Sequence, residues 1–459
     1  MRGSRVGTVF ASVTVLAAGL LTPTLAANDN SKVGLQFRVT LAPELRTGDL
    51  TGRLIVVAST ESGDDQLSTI VDFPDVQPFF GTDVSEWSPG TTRTLGGDDS
   101  YGFPIEHLAD LPEGDYFVQA FLNVYTQFTR SDGSAVWLHM PCGDGQDAIS
   151  SPGNLYSAVV PMHLDGQHAG LKQLKLDQMI PHPEGTSAFP QNAPAQTCQQ
   201  GNYTDSQHLK HIKIQSDLLT EFWGKPMYIG ANVLLPMTYG QPGHESERYP
   251  VVYSQGHWPG GGVLRFSESG NAGFSGYWKD PETPQFIVVT IRHENPYYDD
   301  SYAVNSANLG PYGDAITQEL IPYLDDHFRT HPERWARTLT GGSTGGWEAL
   351  AQMVLYPDVY GGTWAISPDS VDFRFHQIVN IYSDRNAYFT DREWVDTPRP
   401  SSPAASPATP GSRWSRRTTG SWHSERTGDP ACNGPYGPRC TGRRVQTGIR
   451  PTSGIRRPA

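Results

Sequence analysis

Residues Gly341-Gly342-Ser343-Thr344-Gly345-Gly346 are the part of this chain best suited to do chemistry. Ala336 to Thr340 before them reads as a strand, and Trp347 to Tyr356 after them as a helix. A G-x-S-x-G pattern at such a turn holds a serine hydroxyl above the edge of a sheet. Small residues are needed two before and two after the serine, because a Cβ there would strike the neighbouring strand or helix. Gly341 and Gly345 fill those places. The N–H groups at the start of the following helix point at the same spot and suit a developing oxyanion. The implied chemistry is attack of Ser343 on a carbonyl, with a covalent intermediate. In a chain with 48 glycines, a glycine-rich strand-to-helix turn without chemistry is the competing reading.

A serine hydroxyl is a poor nucleophile unless a base takes its proton and a third group orients that base. Downstream of Ser343 the sequence holds two histidines, His376 and His423. His376 falls on an expected helix, where an ordinary half-exposed histidine is the plain reading. His423 stands between Trp422 and Ser424 with no strand before it to place it. Asp369 and Asp372 follow the expected strand Gly361 to Ile366 and could orient a histidine, although turn formation explains them equally well. The sequence thus supplies a nucleophile and an oxyanion site without a placed base.

Two rhythms divide the chain. From about residue 33 to 205 it is β-rich: Gly34 to Leu41 alternates, Leu54-Ile55-Val56-Val57 is an apolar run, and Tyr116 to Tyr125 follows a Pro112-Glu113-Gly114-Asp115 turn. Without any long helical period, this predicts a β-sandwich-like domain. A Pro-, Gln- and Ala-rich stretch from Pro181 to Gly201 reads as a linker. From 206 to 396, strands and helices alternate. Leu209 to Ile214 and Tyr228 to Leu235 look antiparallel, and Pro250 to Ser254 and Phe286 to Ile291 are near-continuous apolar runs, as strands buried on both faces should be. Tyr312 to Phe328 carries a helical period, Gly361 to Ile366 is another strand, and Phe373 to Ile381 is expected as a helix. This order predicts an α/β fold with a mostly parallel sheet and helices on both faces.

Arg2 and Arg5 before the apolar run Val6 to Leu21, with small residues near Ala26, predict a secretory signal peptide over residues 1–26; an uncleaved anchor is the alternative. No other run is long enough to span a membrane. Cys142 and Cys198 are then expected as a disulfide, with two buried thiols as the alternative, and no zinc-type spacing of Cys or His occurs. Residues 27–396 carry 21 Lys+Arg against 46 Asp+Glu, a balance that argues against nucleic acid or an anionic membrane as partner. Residues 397–459 change character: eleven Arg, no Lys, ten Pro, eight Gly and almost no large aliphatic residue. Such a stretch cannot bury enough apolar surface to order itself. It reads as a disordered Arg/Pro-rich tail, a cationic binding tail, or the product of a shifted reading frame, and the last fits best. The sheet would then lack its final strands.

Several segments together carry a family resemblance. They are Leu234-Leu235-Pro236 with Tyr239, Tyr249-Pro250-Val251-Val252-Tyr253, the Gly256-His257-Trp258-Pro259-Gly260-Gly261 loop and the Gly341 to Gly346 turn. Over residues 206–396 the chain resembles the putative-esterase branch of the α/β-hydrolases, which includes esterase D, feruloyl, acetyl-xylan and enterochelin esterases and the secreted mycolyltransferases. The family usually reads His-Gly where this chain reads Gly256-His257. The resemblance implies Ser343 as nucleophile and the backbone N–H of Thr344 as one oxyanion donor, with a second from His257 or Trp258. The family's acid and histidine follow two later strands, which this chain does not reach while still resembling the family. The β-rich region resembles the accessory domain of enterochelin esterases. The loop Arg292 to Tyr312, with Tyr297, Tyr298, Asp299, Asp300 and Asn305, is expected near the strands' C-terminal edge, either facing an aromatic or sugar-bearing substrate or as a surface loop.

The expected protein is therefore a secreted or periplasmic serine carboxylic-ester hydrolase. It would act on a small-molecule or carbohydrate-linked ester and need no metal or organic cofactor. It would be crippled where the acid and histidine are missing. A prolyl-oligopeptidase-type peptidase is disfavoured because no propeller repeat precedes the catalytic region. A non-catalytic secreted binding protein on the same scaffold is the alternative from another class.

Overall fold

The structure is a computed structural model. It describes residues 34–398 apart from 72–74, 98–99, 143–146, 182–198, 258–259, 299, 377–378, 386–388 and 391–396. The expected signal peptide, Cys198, Trp258, Asp299, His423 and nearly all of the Arg/Pro-rich tail lie outside the described residues. Among the described residues no helix is long and apolar enough to cross a membrane.

The N-terminal region forms two sheets over a shared core. In the smaller sheet, Leu35–Leu41 runs between Thr92–Leu95 and Gly170–Leu176. Its alternating sequence buries Leu35, Phe37, Val39 and Leu41 on one face. That face packs on Leu54, Val56, Val118, Ala120 and Leu122 of the larger sheet, whose central pair is Leu50–Ser59 with Gly114–Thr129.

The second region is built on a six-stranded sheet. Its order is Leu209–Ser216, Met227–Leu234, Ile287–Arg292, Val251–Gln255, Arg337–Gly342 and Gly362–Ile366. The first two junctions are antiparallel and the last three parallel. Ile287–Arg292 is buried at every position, in keeping with the near-continuous apolar run from Phe286 to Ile291. The expected helix from Tyr312 is present to His327, with a π-helical segment over Ala315–Leu320. Gly362–Ile366 forms the edge among the described residues, and its Trp364 and Ile366 are 63% and 61% exposed. The place where the sequence changes character, residue 397, falls inside a two-residue antiparallel pairing of Phe389–Thr390 with Thr397–Pro398.

One expected element is absent. Among the described residues of Phe373 to Ile381, only Phe373–Phe375 is helical, as a single 3₁₀ turn, and His376 bridges to Val379. The Asp372 side chain accepts from the Arg374 N–H and caps a single turn, and Phe375 is 72% exposed, so it adds no burial that would extend the turn into a helix.

The two regions share one hydrophobic cluster. Phe128, Val136, Leu138 and Met140 from the β-rich region join Trp223, Tyr297, Tyr312 and Leu339 from the second. The Phe128 ring stands edge-on to Trp223 at 5.2 Å, and the Arg130 guanidinium lies over a Trp223 ring at 5.4 Å. Cys142 is buried and disulfide-bonded. Gln199, next to Cys198 in sequence, reaches Met140 and the Pro226 carbonyl, so the chain on both sides of the expected bridge comes together here.

His139 is buried in the same seam, stacked on Tyr298 with ring centroids 4.2 Å apart. Burial pushes its imidazole down from the ordinary 6.5 to about 3. The folded protein therefore refuses a proton that the unfolded chain accepts. The stabilisation linked to this group is complete above pH 6.5 and is lost as pH falls from there toward 3. His139→Phe keeps the stacking and removes the titration. Urea unfolding at a series of pH values should show a shallower acid-side loss of stability in this variant than in the wild type.

Candidate active site

Ser343 sits where the strand Arg337–Gly342 gives way to the helix Thr344–Leu355, as the sequence predicts. Its backbone has φ 56° and ψ −120°, a region that non-glycine residues rarely occupy. Its N–H donates to the Ile366 carbonyl at 3.0 Å, and its carbonyl accepts from the Trp347 and Asp369 N–H groups. The side chain is exposed above the sheet edge.

The glycines on either side are fixed by close backbone approach. A Cβ on Gly345 would run into the Gln255 carbonyl and the Gly256 Cα, and one on Gly341 into the Gly345 carbonyl. In the parallel pairing, Gln255 stands beside Gly341. The chain at Gly256 and His257 therefore leaves its strand beside the serine. This is the place expected of a second oxyanion donor. Thr344 opens the helix, whose first N–H groups have no partner within the helix. Trp258 lies outside the described residues.

Asp369 is the acid the structure brings to the serine. Ser343 Oγ donates to Asp369 Oδ1 at 3.1 Å, and Thr344 Oγ1 donates to Oδ2 at 2.8 Å. Asp372 is instead taken up by Arg374, through an ion pair and the 3₁₀ cap. His376 is half-buried; burial lowers its pKa, and the nearby Asp369 charge pulls it back up. Asp369, His376 and Ser343 therefore share one neighbourhood, and among the described residues a carboxylate, rather than an imidazole, contacts the hydroxyl.

The loop after Ile287–Arg292 does not have the role the sequence suggests for its tyrosines. Tyr297 and Tyr298 are buried against the β-rich region: Tyr297 is hydrogen-bonded to Arg130, and Tyr298 to Asn123 and Asn154. They fasten the loop and face no substrate, nor do they lie on a free surface. Asn305 Oδ1 accepts from the Asp314 N–H. Asp300 is buried and paired with His257, a contact between residues 43 apart that no spacing in the sequence announces. Tyr302 stands edge-on to both His257, at 5.5 Å, and Trp347, at 5.7 Å.

Residues 226–428 match the model of the family described as putative esterase, so the match continues 32 residues past Asp396. Among curated proteins, the chain is 32% identical over 135 residues to an endo-1,4-beta-xylanase/feruloyl esterase of Xylanibacter ruminicola, covering 28% of this chain and 18% of that protein. It is 28% identical over 92 residues to the uncharacterized protein YjcH of Bacillus subtilis, covering 19% of this chain and 37% of the other. The chain thus spans well under half the length of the curated relatives it matches. Among solved structures, a CE1 ferulic acid esterase from Anaeromyces mucronatus is 20% identical, with a TM-score of 0.24, covering 37% of this chain and 63% of the other.

Gly345→Ala tests the geometry of the turn. The added methyl meets backbone that cannot step aside, so the turn must open. The variant should lose capture of Ser343 by a fluorophosphonate probe and should melt below the wild type in a thermal scan. Labelling and melting unchanged from wild type would show that the close approach is not needed.

Proposed function

We propose that this chain, which over residues 226–428 is a putative esterase of the α/β-hydrolase type, is a carboxylic-ester hydrolase working through an acyl-enzyme on Ser343. The observation that carries the reading is the backbone of the serine. Four of the six residues from 341 to 346 are glycine, and none of the four has a positive φ. The left-handed position is held by Ser343, where a strained non-glycine conformation costs on the order of 1–3 kcal/mol. An ordinary glycine-rich turn would place glycine there. Strain held at an exposed hydroxyl side chain, with a carboxylate on that hydroxyl, supports a catalytic serine.

In this mechanism Ser343 Oγ attacks the ester carbonyl carbon and the carbonyl oxygen becomes an oxyanion. The Thr344 N–H and a second donor from the 256–258 loop stabilise that charge. The tetrahedral species collapses, the alcohol leaves with a proton, and water later releases the acid from Ser343. The proton acceptor supported by the described geometry is Asp369. A carboxylate is a weaker base than an imidazole by about two and a half pKa units in reference compounds. Turnover that relies on Asp369 alone is therefore slow, well below the roughly 1–10³ s⁻¹ common among enzymes.

An ester of an aromatic acid on a carbohydrate is the proposed substrate class. The printed activity of the xylanase/feruloyl esterase relative supports it, as do the half-buried Tyr302 and Trp347 rings beside the turn. Export is part of the proposal. It rests on the basic-then-apolar N-terminus and the disulfide-bonded Cys142, with Cys198 as the proposed partner.

Ser343→Ala deletes one exposed hydroxyl and should leave the fold intact. Hydrolysis of 4-nitrophenyl acetate, slow in the wild type, should fall to the background rate in the variant. Hydrolysis at near wild-type rate in Ser343→Ala would rule out the assignment.

A further inference from the structure

We infer that Asp300 is a positioning residue: its buried carboxylate holds the His257 ring and so fixes the backbone at Gly256–His257 that borders Ser343. The inference rests on the reading of Ser343 as the nucleophile. Asp300 is 3% exposed and His257 32%, so the pair spans from the interior to the mouth of the site. A buried carboxylate has to be compensated, and both oxygens are engaged. Oδ2 pairs with His257 Nδ1, and Oδ1 accepts from the Tyr302 N–H at 2.9 Å.

What holds Asp300 is itself rigid. Tyr298, Tyr302 and Ala303 all have positive φ, near 57°, 54° and 54°. Three strained non-glycine positions around one carboxylate persist only where surrounding contacts over-determine them. Those contacts come from two directions. On the β-rich side are Asn123, Asn154 and His139 against Tyr298, and Arg130 against Tyr297. On the side of the Ser343 helix, Gln352 donates to the Ala303 carbonyl and takes a 2.7 Å hydrogen bond from Tyr360, while Trp347 meets Tyr302. Asn295 closes the loop by donating to the Asp300 carbonyl at 2.8 Å.

The loop therefore joins the β-rich region to the helix behind the nucleophile, and Asp300–His257 is an ionic contact between it and the oxyanion side of the turn. Gly256 already lies against Gly345, so a small rotation of His257 would shift a donor relative to Ser343 without disturbing the sheet. Losing one well-placed oxyanion donor costs roughly 10²–10³-fold in rate, and loosening one costs less.

The test is the rate at which Ser343 is captured by a fluorophosphonate. In that reaction the serine oxygen forms a bond to phosphorus, the P–F bond breaks, and fluoride leaves with the serine proton. The phosphonyl oxygen occupies the oxyanion position, and no later hydrolysis is required. Full-length wild type, Asp300→Asn, Asp300→Glu and His257→Gln would be compared by intact mass against time at several probe concentrations. Circular dichroism would be used to select folded protein. Asp300→Asn and His257→Gln should each lower the maximal capture rate by roughly 10–100-fold, with the half-saturating probe concentration changed less than about twofold. Asp300→Glu should recover part of the loss. A merely structural role would reduce the fraction of folded protein and leave the maximal rate of the folded fraction unchanged. A rate within about twofold of wild type in folded His257→Gln or Asp300→Asn would overturn the inference and leave Ser343 standing. No capture of Ser343 in the wild type would instead remove the nucleophile reading, and this one with it.

Discussion

The close backbone approach of the Ser343 helix to the strand Val251–Gln255 is the contact on which the rest of the site depends. Gly345 can stand against the Gln255 carbonyl and Gly256 only because it has no side chain, and Gly341 meets the Gly345 carbonyl for the same reason. This proximity makes the strand turn sharply into the helix, and the strain of the turn falls on Ser343. It also brings the chain at His257 alongside the serine, so that one packing contact sets the proposed nucleophile and its proposed oxyanion neighbour together. Asp369 follows from the next strand: the Ile366 carbonyl takes the Ser343 N–H, and three residues later the aspartate reaches the hydroxyl.

The β-rich region is part of this construction. Phe128 and Arg130 both pack on Trp223, and Tyr297 and Tyr298 carry the contact on into the loop that holds Asp300. The cluster that holds Phe128, Trp223 and Tyr297 also contains the central residues of the six-stranded sheet. At the other end of that sheet the packing stops: Trp364 and Ile366 on the edge strand, and Val354 and Leu355 on the Ser343 helix, are exposed. Exposed edge strands and contiguous apolar surface favour association between chains. Among the described residues, packing is thus close on the side of the site next to the β-rich region and looser on the side of the edge strand Gly362–Ile366.

Much of this was legible in the sequence because local pattern dictated it. The near-continuous apolar run from Phe286 to Ile291 reads as a strand buried on both faces, and the alternation in Leu35–Leu41 marks a strand with one face buried. The turn at Ser343 was legible because glycine at two fixed offsets reports a steric requirement. The helix expected from Phe373 was misjudged because periodicity cannot show whether a partner surface exists for the apolar face. The Asp300–His257 pair was hidden because it is made by tertiary placement of two loops. The tyrosines at 297 and 298 have side chains that suit either a ligand or a buried hydrogen bond, and only their contacts with Asn123 and Arg130 decide between the two.

The most direct test of the account is to find the covalent intermediate. Folded protein incubated with an activated aromatic ester, such as 4-nitrophenyl ferulate, would be quenched in acid, digested and mapped by mass spectrometry. The account predicts an acyl group on the peptide containing Ser343, accumulating because a weak base slows its release, and absent when the protein is unfolded first. Acyl groups scattered over lysines, or none on Ser343 in folded protein, would contradict it.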